Sequence, residues 1–269
     1  MTTTAAQKHD AFRTLHAVGC FVIPNPWDVG SARFLTSLGF AALATTSSGF
    51  AWTLGRADNH VTLDEALRHL EEITRAVSVP VNADFEGGFA IEPKHVAGNV
   101  ARAVTTGIAG ISIEDSTGES QDSLFEFELA VERVRAAREA LDKCGVLLTA
   151  RTEGFIVGRP DLDETVRRLQ AFAAAGADCL YAPGIKTREE ITAVVSAVAP
   201  KPINLLVGGD HITVSEAARL GVRRISVGGA LARTAWTGFM AAAREIAAAG
   251  TFHGLASAVP SSQVNGLFE

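Results

Sequence analysis

Apolar and polar positions along this chain follow two alternating rhythms. Short runs of β-branched and apolar residues at 20–25, 41–47, 80–85, 109–115, 146–152, 179–183, 202–207 and 223–228 predict eight strands. The runs are apolar almost throughout, as strands of a parallel sheet covered on both faces must be. Between them the period lengthens. In 62–76, Leu63, Leu67, Leu70 and Ile73 recur at three- and four-residue steps with Glu, Arg and His opposite, which predicts an amphipathic helix. Thr62 and Glu65 have the spacing of its capping box. Residues 125–143 and 161–175 read likewise. Gly39, Gly107, Gly176 and Gly221 each stand between a helical stretch and the next strand, where a left-handed cap belongs.

Strand–helix alternation from end to end leaves two architectures, a closed barrel or an open doubly wound sheet. Eight strands are wide for an open sheet, and no Gly-x-Gly-x-x-Gly follows the first run. The pattern therefore predicts an α/β protein with a (β/α)8 TIM barrel. A length of 269 residues suits one such domain. The expected organisation is one domain over 1–269, with 230–269 as an extra C-terminal helix and tail.

Composition narrows the picture only slightly. A hydrophobic fraction of 47% and a net charge of −6 fit a soluble enzyme-sized core and argue against nucleic acid as a partner. Cys20, Cys144 and Cys179 are too scattered for a disulfide framework or a metal knot, so they read as reduced packing residues. The first ten residues lack the features of a signal peptide, and no apolar run is long enough for a membrane span. The expectation is a cytoplasmic protein without a membrane partner.

In a barrel, polar residues at the C-terminal ends of strands are read as functional first. Here the third run ends in Asp84 and Glu86, the fourth in Glu114 and Asp115, and the fifth in Arg151 and Glu153. Asn204 lies within the seventh. Asp84 and Glu86, two apart on extended chain, point to one side, and Glu114 on the neighbouring strand reaches the same place. Crowded carboxylates call for a cation. Hard oxygen donors without nearby His or Cys suit Mg2+ rather than Zn2+. The plainer alternative is that these acids cap helices or pair with Arg151. Arg151 has the fork geometry to clamp a substrate carboxylate, with a structural ion pair as its alternative. Ser47, Ser48, Gly49 and Phe50 read as a loop offering backbone N–H groups to the other end of a ligand. Trp27 and Asp28 end the first strand and either line the pocket or cap the next helix. His60, a candidate proton donor, and His211, a further candidate at a strand end, are loop histidines whose plainer reading is as surface residues.

These motifs resemble the isocitrate lyase and phosphoenolpyruvate mutase superfamily, over nearly the whole chain from Asn25-Pro-Trp-Asp28 to Gly228-Gly229. Its Asp-x-Asp-x-Gly-Tyr-Gly motif is matched by Asp84-Phe-Glu-Gly-Gly-Phe-Ala90, and Ile-Glu-Asp by Ile113-Glu114-Asp115. Ala-Arg-x-Glu is matched by Ala150-Arg-Thr-Glu153, and Gly-x-x-Asp by Gly55 to Asp58. The resemblance implies Mg2+ held by Asp84, Glu86 and Glu114, partly through water, with Asp58 in the outer shell. It implies catalytic roles for Asp58, Glu114 and Arg151. Substrate contacts would come from Arg151, Ser48, Gly49, Phe50, Asn204 and Trp27. It also implies a homotetramer whose terminal helix, bearing Trp236, Phe239 and Met240, packs on a partner barrel.

The departures matter equally. Residues 116–124 replace the Lys-Lys-Cys-Gly-His loop of the isocitrate and methylisocitrate enzymes and contain no Cys, Lys or His. Glu86 and Phe89 stand where the family has Asp and Tyr. The expected activity is a Mg2+-dependent lyase or decarboxylase acting on a small 2-oxo or 2-hydroxy dicarboxylate through a pyruvate-like enolate. A phosphonopyruvate-type P–C enzyme and a 2-oxo acid binding protein remain the alternatives.

Overall fold

The structure, a computed structural model, describes every residue except Met1, Thr2, Ser120, Asp122 and Glu269. The chain begins with helix α1 (Ala5–Ala17), followed by β1 (Phe21–Ile23), α2 (Val29–Ser37), β2 (Leu43–Ala44), α3 (Ser47–Thr53) and α4 (Leu63–Ala76). Next come β3 (Val81–Asp84), α5 (Pro93–Val104), β4 (Gly110–Glu114), α6 (Phe127–Ala140), β5 (Leu147–Arg151) and α7 (Leu162–Ala174). The remainder is β6 (Cys179–Tyr181), α8 (Arg188–Val198), β7 (Ile203–Leu206), α9 (Val214–Arg219), β8 (Arg224–Ser226), α10 (Ala230–Ala249) and α11 (Ser261–Asn265).

All eight strands are parallel and pair in the order β1-β8-β7-β6-β5-β4-β3-β2. At the remaining seam the Ala44 N–H donates to the Pro24 carbonyl at 3.1 Å, and Asn25 Nδ2 donates to the Thr45 carbonyl at 2.9 Å. The result is the expected (β/α)8 barrel. Each strand lies inside its predicted run but is shorter, because the ends of those runs leave the ladder to form loops. The largest difference is at 47–50. Thr46 accepts from the Gly49 N–H and starts helix α3, so the segment expected as a loop is helical.

Local chemistry explains the helix boundaries. Thr62 and Glu65 form the capping box of α4, and Asp161 caps α7 through the Glu164 N–H. Gly107 and Gly221 follow their helices at φ +87° and +88°, a region that L side chains resist. Asp28 is the N-cap of α2, bonded to the Ser31 N–H at 2.7 Å.

Helix α1 had no counterpart among the expected elements. Its Phe12, fully buried, packs with Ile23, Ala42, Ala44, Ala109 and Leu147 and closes the N-terminal mouth of the barrel. Lys8 reaches the end of α4, donating to the Thr74 and Val77 carbonyls at 3.0 and 2.8 Å, where a cation suits the helix dipole. The large apolar core lies between the strands and the outer helices, around Phe85, Ile111, Leu148, Phe172 and Leu205. The barrel interior is different. Asn82, Ser112, Thr149, Asn204, Arg224 and Ser226 are buried there, at the strand positions that alternate with the core-facing ones.

Helix α10 buries only Ala232 among its 20 residues. Trp236, Phe239 and Met240 on it stay exposed, Phe239 at 63%. Among the described residues no helix is long and apolar enough to cross a membrane. Cys20, Cys144 and Cys179 are free thiols.

Candidate active site

The C-terminal ends of the strands surround a cavity of 330 Å3. Asp84, Glu114, Arg151, Asp58, Ser48 and Asn204 all line it, so six of the residues singled out in the sequence share one space. Arg151 is the hub. Its Nε donates to Glu153 Oε1 at 2.9 Å, and its Nη1 approaches Asp84 Oδ1 at 2.7 Å and Glu114 Oε2 at 3.2 Å. The guanidinium also lies 5.0 Å over the Tyr181 ring. Asp84 is fixed from the other side, accepting from the Ser47 N–H through Oδ2 at 3.0 Å. The Asp84 N–H in turn donates to Thr45 Oγ1 at 2.9 Å.

Electrostatics here follow from burying several acids around one base. Burial, then the Asp84 and Asp58 charges, pushes Glu86 up to about 8, with Arg151 opposing. Burial also raises Glu114 well above the usual carboxylate range although Arg151 pulls it down. Asp58, open to solvent on one side, is raised by partial desolvation and by Asp84. Burial works against the charge of Arg151, yet Glu153, Glu114 and Asp84 together hold it more firmly protonated than a free arginine. The site thus holds more acid than it can neutralise.

Among the described residues, no three acidic, histidine or cysteine side chains stand close enough to enclose a metal ion unaided. Arg151 is the reason, because it is inserted between Asp84 and Glu114. Glu86 is set apart as well. It sits on a left-handed turn at φ +47° and borders the adjoining groove with Asp58 and Glu114 rather than the cavity itself. The donor set still fits Mg2+, which takes one or two carboxylates and keeps several waters. Hard oxygens, together with acids whose ionisation is held back for want of positive charge, are the features such an ion would answer.

Other expected residues lie elsewhere. Gly49 is packed beneath the site, where a Cβ would meet Trp27 Cβ at 2.9 Å and Thr46 Cγ2 at 2.6 Å. Trp27 therefore supports α3 and does not line the cavity. Phe50 turns away to stack on buried His69, with ring centroids 3.9 Å apart. His60 is exposed in the adjoining groove, its Nδ1 at 2.8 Å from the Asp58 carbonyl, and His211 is exposed. Asp115 belongs to the scaffold, paired with Arg168 at 3.1 Å and accepting from the Glu153 N–H at 2.9 Å. The loop after β4 is a short turn closed by a Ser116–Leu124 bridge; two of its residues, Ser120 and Asp122, lie outside the described residues.

Several cavity residues had no sequence signal. Tyr181, Arg224 and Ser226 occupy inward positions in apolar-looking runs. Asn25 accepts from the Val227 and Gly228 N–H groups at 2.9 Å and so ties the first strand to the last. Only the alternation of inward and outward positions, read with the strand ends known, points to them.

The family described as phosphoenolpyruvate phosphomutase matches residues 12–247. An oxaloacetate decarboxylase of Paraburkholderia xenovorans (strain LB400) is 31% identical over 216 residues, covering 77% of this chain and 70% of that protein. A candidate lyase/mutase from Burkholderia cenocepacia J2315 has a crystal structure with a TM-score of 0.94 and 45% identity, covering 98% of this chain and 96% of that one. Phosphonopyruvate hydrolase, crystallised with oxalate and Mg2+, gives a TM-score of 0.85 at 25% identity, with coverage of 99% and 95%. The chain belongs to the phosphoenolpyruvate phosphomutase family, within the superfamily of PEP mutase and isocitrate lyase enzymes.

Proposed function

We propose that this chain is a Mg2+-dependent carbon–carbon lyase acting on a small 2-oxo or 2-hydroxy dicarboxylate, with decarboxylation of oxaloacetate as its leading reaction. The observation that carries the reading is the meeting of Asp84, Glu114 and Arg151 at one end of a single cavity. The relative that decarboxylates oxaloacetate and the neighbour holding oxalate and Mg2+ support it.

Asp84 is the residue best placed to hold the ion, with Glu86, Glu114 and Asp58 acting through water. Bound there, Mg2+ would supply positive charge to the 2-oxo oxygen, where negative charge gathers as the C–C bond one carbon beyond the oxo carbon breaks. The protein's own part is orientation and charge. Glu153 fixes Arg151 through Nε, and Nη2 has no hydrogen-bond partner among the described residues, so it is free to take a substrate oxygen. Ser47 and Ser48 close the wall opposite. In oxaloacetate the C3–C4 bond breaks, CO2 departs, the electron pair passes to the C2–C3 enolate, and C3 takes a proton from solvent. No side-chain acid is needed for departure, which agrees with a 116–124 loop lacking Cys, Lys and His.

We infer further that the chain works as a homo-oligomer, tetrameric by resemblance, because α10 leaves Trp236, Phe239 and Met240 exposed. The activity is tested by following pyruvate release from oxaloacetate with Mg2+ and with EDTA. Magnesium-dependent release above the spontaneous rate is expected. Release at the spontaneous rate in both would overturn the decarboxylase reading.

A further inference from the structure

The site cavity has two ends of unlike chemistry. Asp84, Glu114 and Arg151 on β3 to β5 form one; across the barrel, Asn204, Arg224 and Ser226 on β7 and β8 form the other. Arg224 is 3% exposed, and neutral groups alone hold its guanidinium. Nε donates to Asn204 Oδ1 at 2.8 Å, Nη2 donates to Thr149 Oγ1 at 3.0 Å, and Nη1 faces His16 Nε2 at 3.3 Å. Burial, then Arg224 itself, pushes His16 down to about 3, so the imidazole is neutral and accepts. Asn204 is oriented by its own bond to Ser226 Oγ at 2.8 Å.

The other arginines in buried or half-buried ion pairs, Arg138, Arg151 and Arg168, each reach a carboxylate. Arg224 reaches none among the described residues. Arg133, also buried without a carboxylate, gives its donors to the Gly87, Ala90 and Ile91 carbonyls and lines no part of this cavity. A guanidinium carries five N–H donors, and the three acceptors around Arg224 leave two of them. A cation withdrawn from water without a counter-charge is unfavourable, and here it borders a cavity open to small anions.

We propose that Arg224, with Asn204 and Ser226, forms an inner carboxylate-binding subsite that receives the distal carboxylate of the substrate. The 2-oxo or 2-hydroxy acid end lies at Asp84 and Arg151, so the protein selects dicarboxylates over monocarboxylates of equal length. This rests on the metal-assisted reading of the Asp84 end and adds the residues that hold the second carboxylate. Charge, rather than shape, makes the selection. A methyl group in place of the distal carboxylate leaves the buried guanidinium without its partner.

The test is calorimetric, in saturating Mg2+, with matched stable ligands: 2-oxoglutarate against 2-oxovalerate, and malate against 2-hydroxybutyrate. Oxalate, which is too short to span the cavity, reports on the metal end alone. The wild-type protein is expected to bind each dianion about 100-fold more tightly than its monoanionic partner. In Arg224→Met that ratio should fall below about tenfold while oxalate affinity stays within about threefold; Arg224→Lys should keep an intermediate preference. A wild-type preference below about threefold overturns the subsite without any variant being needed. An unchanged ratio in folded Arg224→Met overturns it as well, while oxalate binding leaves the metal end intact. Absence of oxalate binding to the wild-type protein with Mg2+ would instead remove the metal-assisted reading, and the subsite with it.

Discussion

Arg133 does for the loop after β3 what Arg151 does for the acids. It is fully buried, stacks 3.9 Å over the Phe125 ring, and donates to the backbone carbonyls of Gly87, Ala90 and Ile91. That loop carries Glu86, so its shape sets where one of the candidate metal carboxylates stands. Arg133→Leu removes the partner of three part-buried carbonyls at once, each worth about 1 kcal/mol or more, and should destabilise the protein by at least about 3 kcal/mol in urea unfolding. A loss below 1 kcal/mol would show that the loop holds itself. Histidines give a second residue-scale expectation. Burial lowers His16 to about 3 and His69 to about 4, against about 6.5 in the unfolded chain. Above pH 6.5 both states are neutral and the stability is whole. As pH falls from 6.5 toward the folded values, the unfolded chain takes up protons that the folded one refuses, which removes about 2 kcal/mol per histidine at pH 5. His69→Phe keeps the stack on Phe50 and should lose about 2 kcal/mol less than the wild type between pH 7.5 and 5. Identical pH slopes would contradict the burial argument.

Among the elements, α3 and α10 depart most from ordinary barrel helices. Helix α3 follows β2 after two residues, and Gly49 lets it lie against Trp27 and Thr46. That close approach places the Ser47 N–H on Asp84. Helix α10 leaves large apolar side chains exposed. Trp236 and Phe239 meet edge to face at 5.3 Å, and together with Met240 they make a patch of the kind that seals an interface between subunits. Substituting Ser at both Trp236 and Phe239 should convert the proposed oligomer to monomer at micromolar concentration by light scattering, with the barrel's circular dichroism unchanged. A wild-type protein already monomeric at that concentration would refute the proposal.

For the whole molecule, the balance of charge couples ligand binding to protons. The net charge of −6 is mild, yet within the site burial, and then the neighbouring acids, push Glu86 up to about 8, and burial raises Glu114 well above the usual carboxylate range against the pull of Arg151. The unfolded carboxyl ionises near 4.5, so stability of the metal-free protein is lost as pH rises from there through 8. A divalent cation reverses that loss by displacing the protons. Mg2+ binding at pH 7 should therefore release about one proton, read as a dependence of the calorimetric heat on the buffer's ionisation enthalpy. Equal heats in phosphate and Tris would mean that the acids are already ionised.

The amino-acid sequence by itself determined the barrel. Eight apolar runs, capping boxes such as Thr62 with Glu65, and glycines such as Gly107 are local signals, written within a few residues of where they act. It also placed Asp84, Glu114 and Arg151 at strand ends, because one strand position is enough to put a side chain at the mouth of a barrel. Tertiary structure alone decided which neighbours those side chains meet. That Arg151 stands between Asp84 and Glu114 depends on the register of β3, β4 and β5. Glu86 turns into the side groove because of a left-handed residue, and Trp27 supports α3 because Gly49 admits it. Helix α1 escaped notice because its task, closing the barrel with Phe12 and His16, is set by partners scattered along the chain from Ile23 to Arg224. Arg224 was hidden for the same reason. In sequence it is one more charged residue at the edge of an apolar run, and only closure of the barrel turns it inward among Thr149, Asn204 and His16, without a carboxylate to answer it.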